Sequence, residues 1–181
     1  MSLDRLWSPW RSRHVQTFAG DDRADGRSLF TRLADDPARD AERFVLYRSA
    51  HVYVVLNAFP YTNGHLLVIP YREVADYDAL TPEEAYDLAD TTRRALGWLR
   101  AALRPDGFNV GMNLGAAAGA GLPGHLHQHV VPRWTGDTNF MPVVGEAKVV
   151  PEALDTTYAR LKAVMVPAPS AGTTGAPADG A

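Results

Sequence analysis

Three of the six histidines lie within five residues, at His125, His127 and His129. On an extended strand, side chains two residues apart point to the same side and lie about 6.6–6.8 Å apart. We therefore predict that the three imidazoles share one face, while Leu126 and Val130 point to the other. A row of imidazoles is costly to bury unless its nitrogens are used. The spacing indicates a face that does chemistry.

Three uses of this face remain open. A metal site is one, but His125 and His129 would lie about 13 Å apart along the strand. The residues beside them also supply no carboxylate or thiolate to complete a ligand shell. A polar face with only hydrogen bonds is the second use. The third is phosphate chemistry, with His127 as a nucleophile and the two outer imidazoles contacting the phosphate oxygens and the leaving group.

Phosphate chemistry needs a neutral central imidazole, which the ordinary histidine pKa of about 6.5 provides near pH 7. One ring nitrogen would present its lone pair if the other donated its proton to a backbone carbonyl. Attack on phosphorus would then give a covalent phosphoramidate and divide one displacement into two. The preceding loop, 115–124, has four glycines and no bulky polar side chain. Its backbone N–H groups could approach an oxyanion closely.

The elements that position these residues follow from local patterns. Thr81 and Glu84 form a capping box, and Pro82 occupies the first helical position. Together they predict the start of a long helix that ends before 105–107. A final helix is predicted from Pro151-Glu152, with an apolar side that includes Leu161. The predicted strands are Phe44–Tyr47, Val52–Leu56, His65–Pro70, Phe108–Asn113 and His125–Val131. This order predicts an α+β fold with a five-stranded antiparallel sheet and two main helices.

The chain of 181 residues is expected to form one catalytic domain over residues 44–166. Residues 1–43 are expected to form an N-terminal arm with one short helix near Leu29–Ala34, anchored by Trp7 and Trp10. Residues 167–181, rich in Pro, Ala and Gly, are expected to be a disordered tail.

Composition excludes several functional classes. There is no cysteine, which removes disulfides, thiolate zinc sites and cysteine nucleophiles. The 18 basic and 21 acidic residues are interspersed, which argues against nucleic acid as a partner. No apolar run is long enough to cross a membrane, and the N-terminus lacks a signal-peptide pattern. We therefore expect a cytoplasmic protein without a membrane partner.

The segment His125-Leu126-His127-Gln128-His129-Val130-Val131 resembles the signature of the histidine triad (HIT) superfamily. The resemblance extends over roughly residues 6–164. The segment at 56–65 is similar to the family's ribose-binding strand and loop. The segments at 108–114 and 132–143 resemble a bacterial branch that includes diadenosine tetraphosphate phosphorylases. The resemblance implies a five-stranded antiparallel sheet with helices, a homodimer or higher homo-oligomer, and nucleotidyl transfer at the α-phosphate of an adenine nucleotide.

The resemblance also implies roles for individual residues. His127 would form a nucleotidyl-histidine, while His125 and His129 would contact the phosphate and the leaving group. Asn57 would bind the ribose hydroxyls, with His65 nearby. The remaining implied substrate-binding residues, both near the phosphate, are Asn113 and Gly121.

Two positions depart from the family pattern. Where many relatives have a Cys-x-x-Cys that holds zinc with two histidines, this chain has Ser28-Leu29-Phe30-Thr31. We therefore predict no metal and no other cofactor, and His51 loses its implied role as a ligand. In addition, the loop has Ala120-Gly121-Leu122 where relatives often have a serine.

The resemblance favours phosphorolysis of diadenosine tetraphosphate to ADP and ATP, with inorganic phosphate as the second partner of the reaction. Hydrolysis of dinucleoside polyphosphates or nucleoside phosphoramidates, with water as the acceptor, is the alternative within the same chemistry. A non-catalytic nucleotide sensor is the alternative of a different class.

Overall fold

The computed structural model describes residues 26–137 and 152–165. Short 3₁₀ helices lie at 37–39, 77–79 and 116–118. The α-helices are α1 (Leu29–Ala34), α2 (Pro82–Leu103) and α3 (Leu154–Met165), and the strands are β1 (Val45–Arg48), β2 (Val52–Leu56), β3 (Leu66–Pro70), β4 (Gly107–Met112) and β5 (Gln128–Arg133).

The five strands form one sheet in the order β1-β2-β3-β5-β4, and every neighbouring pair is antiparallel. The predicted fold class is confirmed, and β1 and β2 form a hairpin. The predicted fifth strand begins too early, because β5 starts at Gln128 rather than His125. Pairing between β3 and β5 ends at Gln128, and the N–H of Leu126 donates instead to the carbonyl of Val74, beyond the end of β3 (2.6 Å).

One face of the sheet packs against α2 and α3. Helix α2 starts with the predicted capping box, in which the Thr81 hydroxyl accepts from the Glu84 N–H and the Glu84 carboxylate accepts from the Thr81 N–H. Helix α3 begins at Leu154, slightly later than predicted. The apolar core on this face includes Val54, Leu56, Leu66, Val68, Leu88, Ala95, Leu99, Val130, Leu154 and Leu161.

The opposite face of the sheet is covered in part by α1, which has the predicted bounds Leu29–Ala34. Phe30 and Leu33 are buried against a second cluster that includes Val45, Tyr53, Val55, Leu67 and Ile69. Helix α1 therefore packs against the sheet, and the predicted division at residue 43 stays a prediction.

Two arginines hold the C-terminal end of α1 in place. The Arg43 guanidinium donates to the carbonyls of Arg32 (2.8 Å) and Leu33 (3.1 Å). The Arg48 guanidinium donates to the carbonyl of Ala34 at 2.8 Å and forms an ion pair with Asp40 at 2.7 Å. These bonds satisfy carbonyls that the end of a helix leaves without partners.

Some predictions concern residues outside the described ranges. Trp7, Trp10 and the predicted disordered tail at 167–181 are among them. Within the described ranges, no helix combines the length and apolar character that crossing a bilayer requires.

Candidate active site

The histidine cluster lies on the α1 face of the sheet. Side chains in the segment before β5 alternate in direction as they do within a strand, so that Leu126 and Val130 are buried on the side opposite the histidines. The His127 and His129 ring centroids are 5.0 Å apart, and the Phe30 ring lies 5.5 Å from His125 and 5.0 Å from His127. The predicted shared face is therefore present, although only His129 lies within the strand.

His127 has the ring orientation that its predicted role requires. Its Nδ1 lies 2.9 Å from the carbonyl oxygen of His125, and a carbonyl can only accept a hydrogen bond. Nδ1 therefore carries the proton in the neutral ring, and Nε2 keeps its lone pair. Burial lowers the pKa of His127 below 6.5, against the opposing effect of the bond to the His125 carbonyl. The ring is thus neutral at pH 7.

A chain of hydrogen bonds fixes the orientation of His129 as well. The backbone N–H of Tyr61 donates to His65 Nδ1 at 3.0 Å, so that the proton of the neutral His65 ring is on Nε2. His65 Nε2 lies 2.9 Å from His129 Nδ1 and donates to it. The proton of the neutral His129 ring is consequently on Nε2.

The His129 Nε2 atom is buried and has no hydrogen-bond partner among the described residues. An unsatisfied buried donor of this kind costs about 1–3 kcal/mol unless a ligand pairs with it. Burial, together with the nearby His127, lowers the pKa of His129 to about 4. The cluster therefore presents a lone pair on His127 beside a buried N–H on His129, a combination suited to a group with an electrophilic centre and anionic oxygens.

His125 differs from the other two imidazoles because both of its ring nitrogens are hydrogen-bonded within the protein. Nε2 donates to the carbonyl oxygen of Pro70 at 2.8 Å, and Nδ1 lies 2.9 Å from the Ser28 hydroxyl oxygen. The ring is 1% exposed. The predicted contact of His125 with phosphate stays a prediction, and the geometry shows its carbonyl, rather than its ring, next to His127.

The predicted substrate-binding residues occupy different places around the cluster. Asn57 adjoins it, with its Nδ2 3.3 Å from His65 Nδ1 and its Oδ1 accepting from the Phe59 N–H at 2.9 Å. Asn113 follows the end of β4 and donates to the Gly119 carbonyl at 3.4 Å. Gly121 is exposed in the loop before His125, where an added Cβ would meet no atom within 4 Å.

Gly64 sets the position of His65. Its φ of +73° is a conformation that glycine adopts without steric cost, and an added Cβ would clash with the Leu103 side chain and lie 3.1 Å from Leu99 Cδ2. Another residue at this position would be strained at this φ and would have to displace the end of the Leu103 side chain.

The residues at the Cys-x-x-Cys position do not fit a zinc site. The Ser28 hydroxyl is taken up by hydrogen bonds to His125 and to the Phe30 N–H. Thr31 Oγ1 is buried and has no described partner. Within residues 26–137 and 152–165, no three His, Cys, Asp or Glu side chains are grouped so that they could hold a metal ion.

Comparisons with known proteins agree with this geometry. Residues 38–136 match the HIT domain family. The chain is 42% identical over 159 residues to an AP-4-A phosphorylase of Mycobacterium tuberculosis, covering 86% of this chain and 80% of that protein. It is 33% identical over 91 residues to a bis(5'-adenosyl)-triphosphatase of Saccharomyces cerevisiae, covering 50% of this chain and 44% of that protein.

A solved structure is also similar. It is a zinc-bound histidine triad family protein from Mycobacterium smegmatis, with 28% sequence identity and a TM-score of 0.60, and the match covers 75% of this chain and 90% of that one. The protein described here belongs to the HIT family. Both named sequence relatives are enzymes, which agrees with the prediction of a HIT-family enzyme.

Sequence reasoning missed several residues of the site. The ring of Tyr61 stacks on His129 at 5.8 Å with an interplanar angle of 22°. Phe30 and Ser28 come from α1 and its N-cap, far from His125 in sequence. No local sequence signal shows which distant imidazole the Ser28 hydroxyl meets.

Proposed function

We propose that this protein processes dinucleoside polyphosphates by nucleotidyl transfer through a covalent nucleotidyl-His127, with phosphorolysis of diadenosine tetraphosphate as its reaction. The hydrogen bond from His127 Nδ1 to the His125 carbonyl carries the proposal, because it directs the lone pair of Nε2 away from the backbone. The 42% identity to an AP-4-A phosphorylase supports the substrate class.

In the first step, His127 Nε2 attacks the α-phosphorus and forms an N–P bond. The bond from phosphorus to the bridging oxygen breaks, and ATP leaves with that electron pair. The N–H of His129 Nε2 donates to a phosphate oxygen and stabilises the charge that develops there. In the second step, an oxygen of inorganic phosphate attacks the same phosphorus. ADP forms, and the N–P bond breaks to return the lone pair to His127.

The hydrogen bonds described above keep both imidazoles in the required tautomers. His125 contributes its carbonyl, which accepts from His127. His65 contributes the donor that leaves the His129 proton on Nε2. Asn57 and the loop residues Asn113 and Gly121 are proposed to hold the ribose and the phosphate chain, as the family resemblance implies.

Hydrolysis is the second candidate, with water in place of phosphate as the acceptor. The yeast relative, named as a triphosphatase, favours it. The loop sequence Ala120-Gly121-Leu122 also supplies no hydroxyl to hold an acceptor phosphate. The two reactions share the first step and differ only in what attacks the intermediate.

The decisive experiment incubates the 181-residue protein with diadenosine tetraphosphate in the presence and absence of inorganic phosphate. Phosphorolysis gives ADP and ATP only when phosphate is present. ATP and AMP formed without phosphate would establish hydrolysis instead. If an adenylate analogue binds but no product forms from any dinucleoside polyphosphate, the protein is a nucleotide sensor and the proposal fails.

The nucleophile is tested separately by trapping and by substitution. Acid-free quenching followed by mass spectrometry should find one adenylate on His127. His127→Gln should lower turnover by at least about a thousandfold, because the covalent route is lost. Full turnover by this variant, or turnover without a trapped adenylate, would overturn the nucleotidyl-histidine.

The homodimer or higher oligomer implied by the resemblance stays a prediction. The edge strand β4 exposes Val110 (47%), and Leu114 just beyond it is 46% exposed. Sedimentation analysis of the full chain tests the assembly state directly.

A further inference from the structure

We propose that Ser28 is a positioning residue for the nucleotidyl-transfer reaction, acting through His125 to keep the Nε2 lone pair of His127 available. The inference rests on the proposed function for its catalytic readout. Its structural test asks which ring nitrogen of His125 and of His127 carries the proton, and this test does not depend on any activity.

The Ser28 side chain has a defined donor and a defined acceptor role. It is 3% exposed, and its hydroxyl oxygen accepts from the Phe30 N–H at 3.2 Å as the N-cap of α1. The hydroxyl proton is then directed to His125 Nδ1 at 2.9 Å. Since Nε2 of the same ring already donates to the Pro70 carbonyl, Nδ1 of the neutral ring can only accept.

This arrangement holds the His125 ring from both sides. Pro70 is the last residue of β3, and Ser28 precedes α1, so that the ring connects two elements distant in sequence. The carbonyl of the same residue accepts the proton of His127 Nδ1. Hydrogen bonds at both ring nitrogens restrain the position of the His125 side chain, and through its α-carbon they restrain the backbone segment that carries this carbonyl. The Ser28 hydroxyl therefore acts on the orientation of His127 without touching it.

Helix α1 reinforces this effect. The Phe30 ring lies against both His125 and His127, and the N–H of the same residue is bonded to the Ser28 hydroxyl. The N–H of Ser28 itself lies 3.2 Å from a carboxylate oxygen of Glu73. Ser28 thus caps α1 and contacts the His125 imidazole, which in turn packs against the Phe30 ring.

A matched pair of variants separates helix capping from donation to His125. Ser28→Asn and Ser28→Asp have similar size and both cap helices well. Asparagine can still donate to His125 Nδ1, whereas aspartate can only accept. We expect Ser28→Asp to lower kcat for diadenosine tetraphosphate about tenfold, with little change in KM, and Ser28→Asn to keep most of the activity.

Two controls accompany this pair. Ser28→Ala removes both roles and should lose at least as much kcat as Ser28→Asp. Thr81→Ala removes an N-cap at the start of α2 and should leave kcat unchanged. Thermal unfolding of every variant shows whether a loss of activity follows a loss of stability.

The tautomers are read by ¹⁵N NMR of imidazole-labelled protein. In the wild type, His127 should carry its proton on Nδ1 and His125 on Nε2. In Ser28→Asp, the lone pair of His125 Nδ1 would face a carboxylate oxygen, so that the ring should leave its present position and the His127 signals should shift from those of a fixed Nδ1–H tautomer. Wild-type kcat and an unchanged His127 tautomer in Ser28→Asp would overturn the proposal. A wild-type protein that forms no adenylyl intermediate but shows these tautomers would refute the proposed function alone.

Discussion

The two faces of the segment from His125 to Val130 are built on opposite principles. On one face, Leu126 and Val130 are buried, and Val130 lies in an apolar core with residues of α2 and α3. On the other face, the imidazoles are held by directed hydrogen bonds to backbone carbonyls and to one another. The apolar face stabilises the fold, while the polar face fixes which nitrogen of each ring carries a proton. The two faces should therefore respond differently to substitution.

The largest expected loss of stability comes from the apolar face. Leu161 of α3 is fully buried, and Leu161→Ala should lower the free energy of unfolding by about 2–5 kcal/mol. The kcat of the fraction that remains folded should not change. Chemical denaturation and steady-state assays below the midpoint check both. A specific loss of kcat would show that the two faces are coupled.

On the polar face, His65 should matter more for turnover than for stability. His65→Leu introduces an apolar side chain of similar volume and removes the donor to His129. It should lower kcat about tenfold to a hundredfold, because the His129 proton is no longer directed to Nε2. His65→Gln, which can still donate, should retain more activity. Equal kcat values for the two variants would contradict the proposed hydrogen-bond chain.

The smallest expected effect is a pH dependence of stability. The His129 pKa is about 4 in the folded protein against 6.5 ordinarily, and the pKa of His127 is also lowered. Between those pH values the unfolded chain binds more protons, so that stability should fall as the pH falls from 6.5 toward about 4. His129→Gln should reduce this slope in denaturant titrations at several pH values. An unchanged slope would show that His129 titrates normally.

Much of the fold could be predicted from the sequence because its signals are local. The capping box at Thr81 and the alternating apolar residues depend only on neighbours a few positions away. The sequence also indicated that one ring nitrogen of His127 would donate to a backbone carbonyl, because this bond leaves the lone pair of the other nitrogen free to attack. By contrast, the bond between Ser28 and His125 depends on how α1 packs on the sheet. The start of β5 depends on the bond from Leu126 to Val74, another contact that no local pattern contains.

Helix α1 lies ahead of the segment that matches the HIT domain, residues 38–136. A recombinant fragment trimmed to those limits would lose Phe30 and Ser28 and leave the rings of His125 and His127 open to water on that side. Arg43 and Arg48 would remain, but without the carbonyls they now hold. Family boundaries drawn from sequence would thus separate Ser28 and Phe30 from the histidines that they contact, and biochemical work on this protein should include α1.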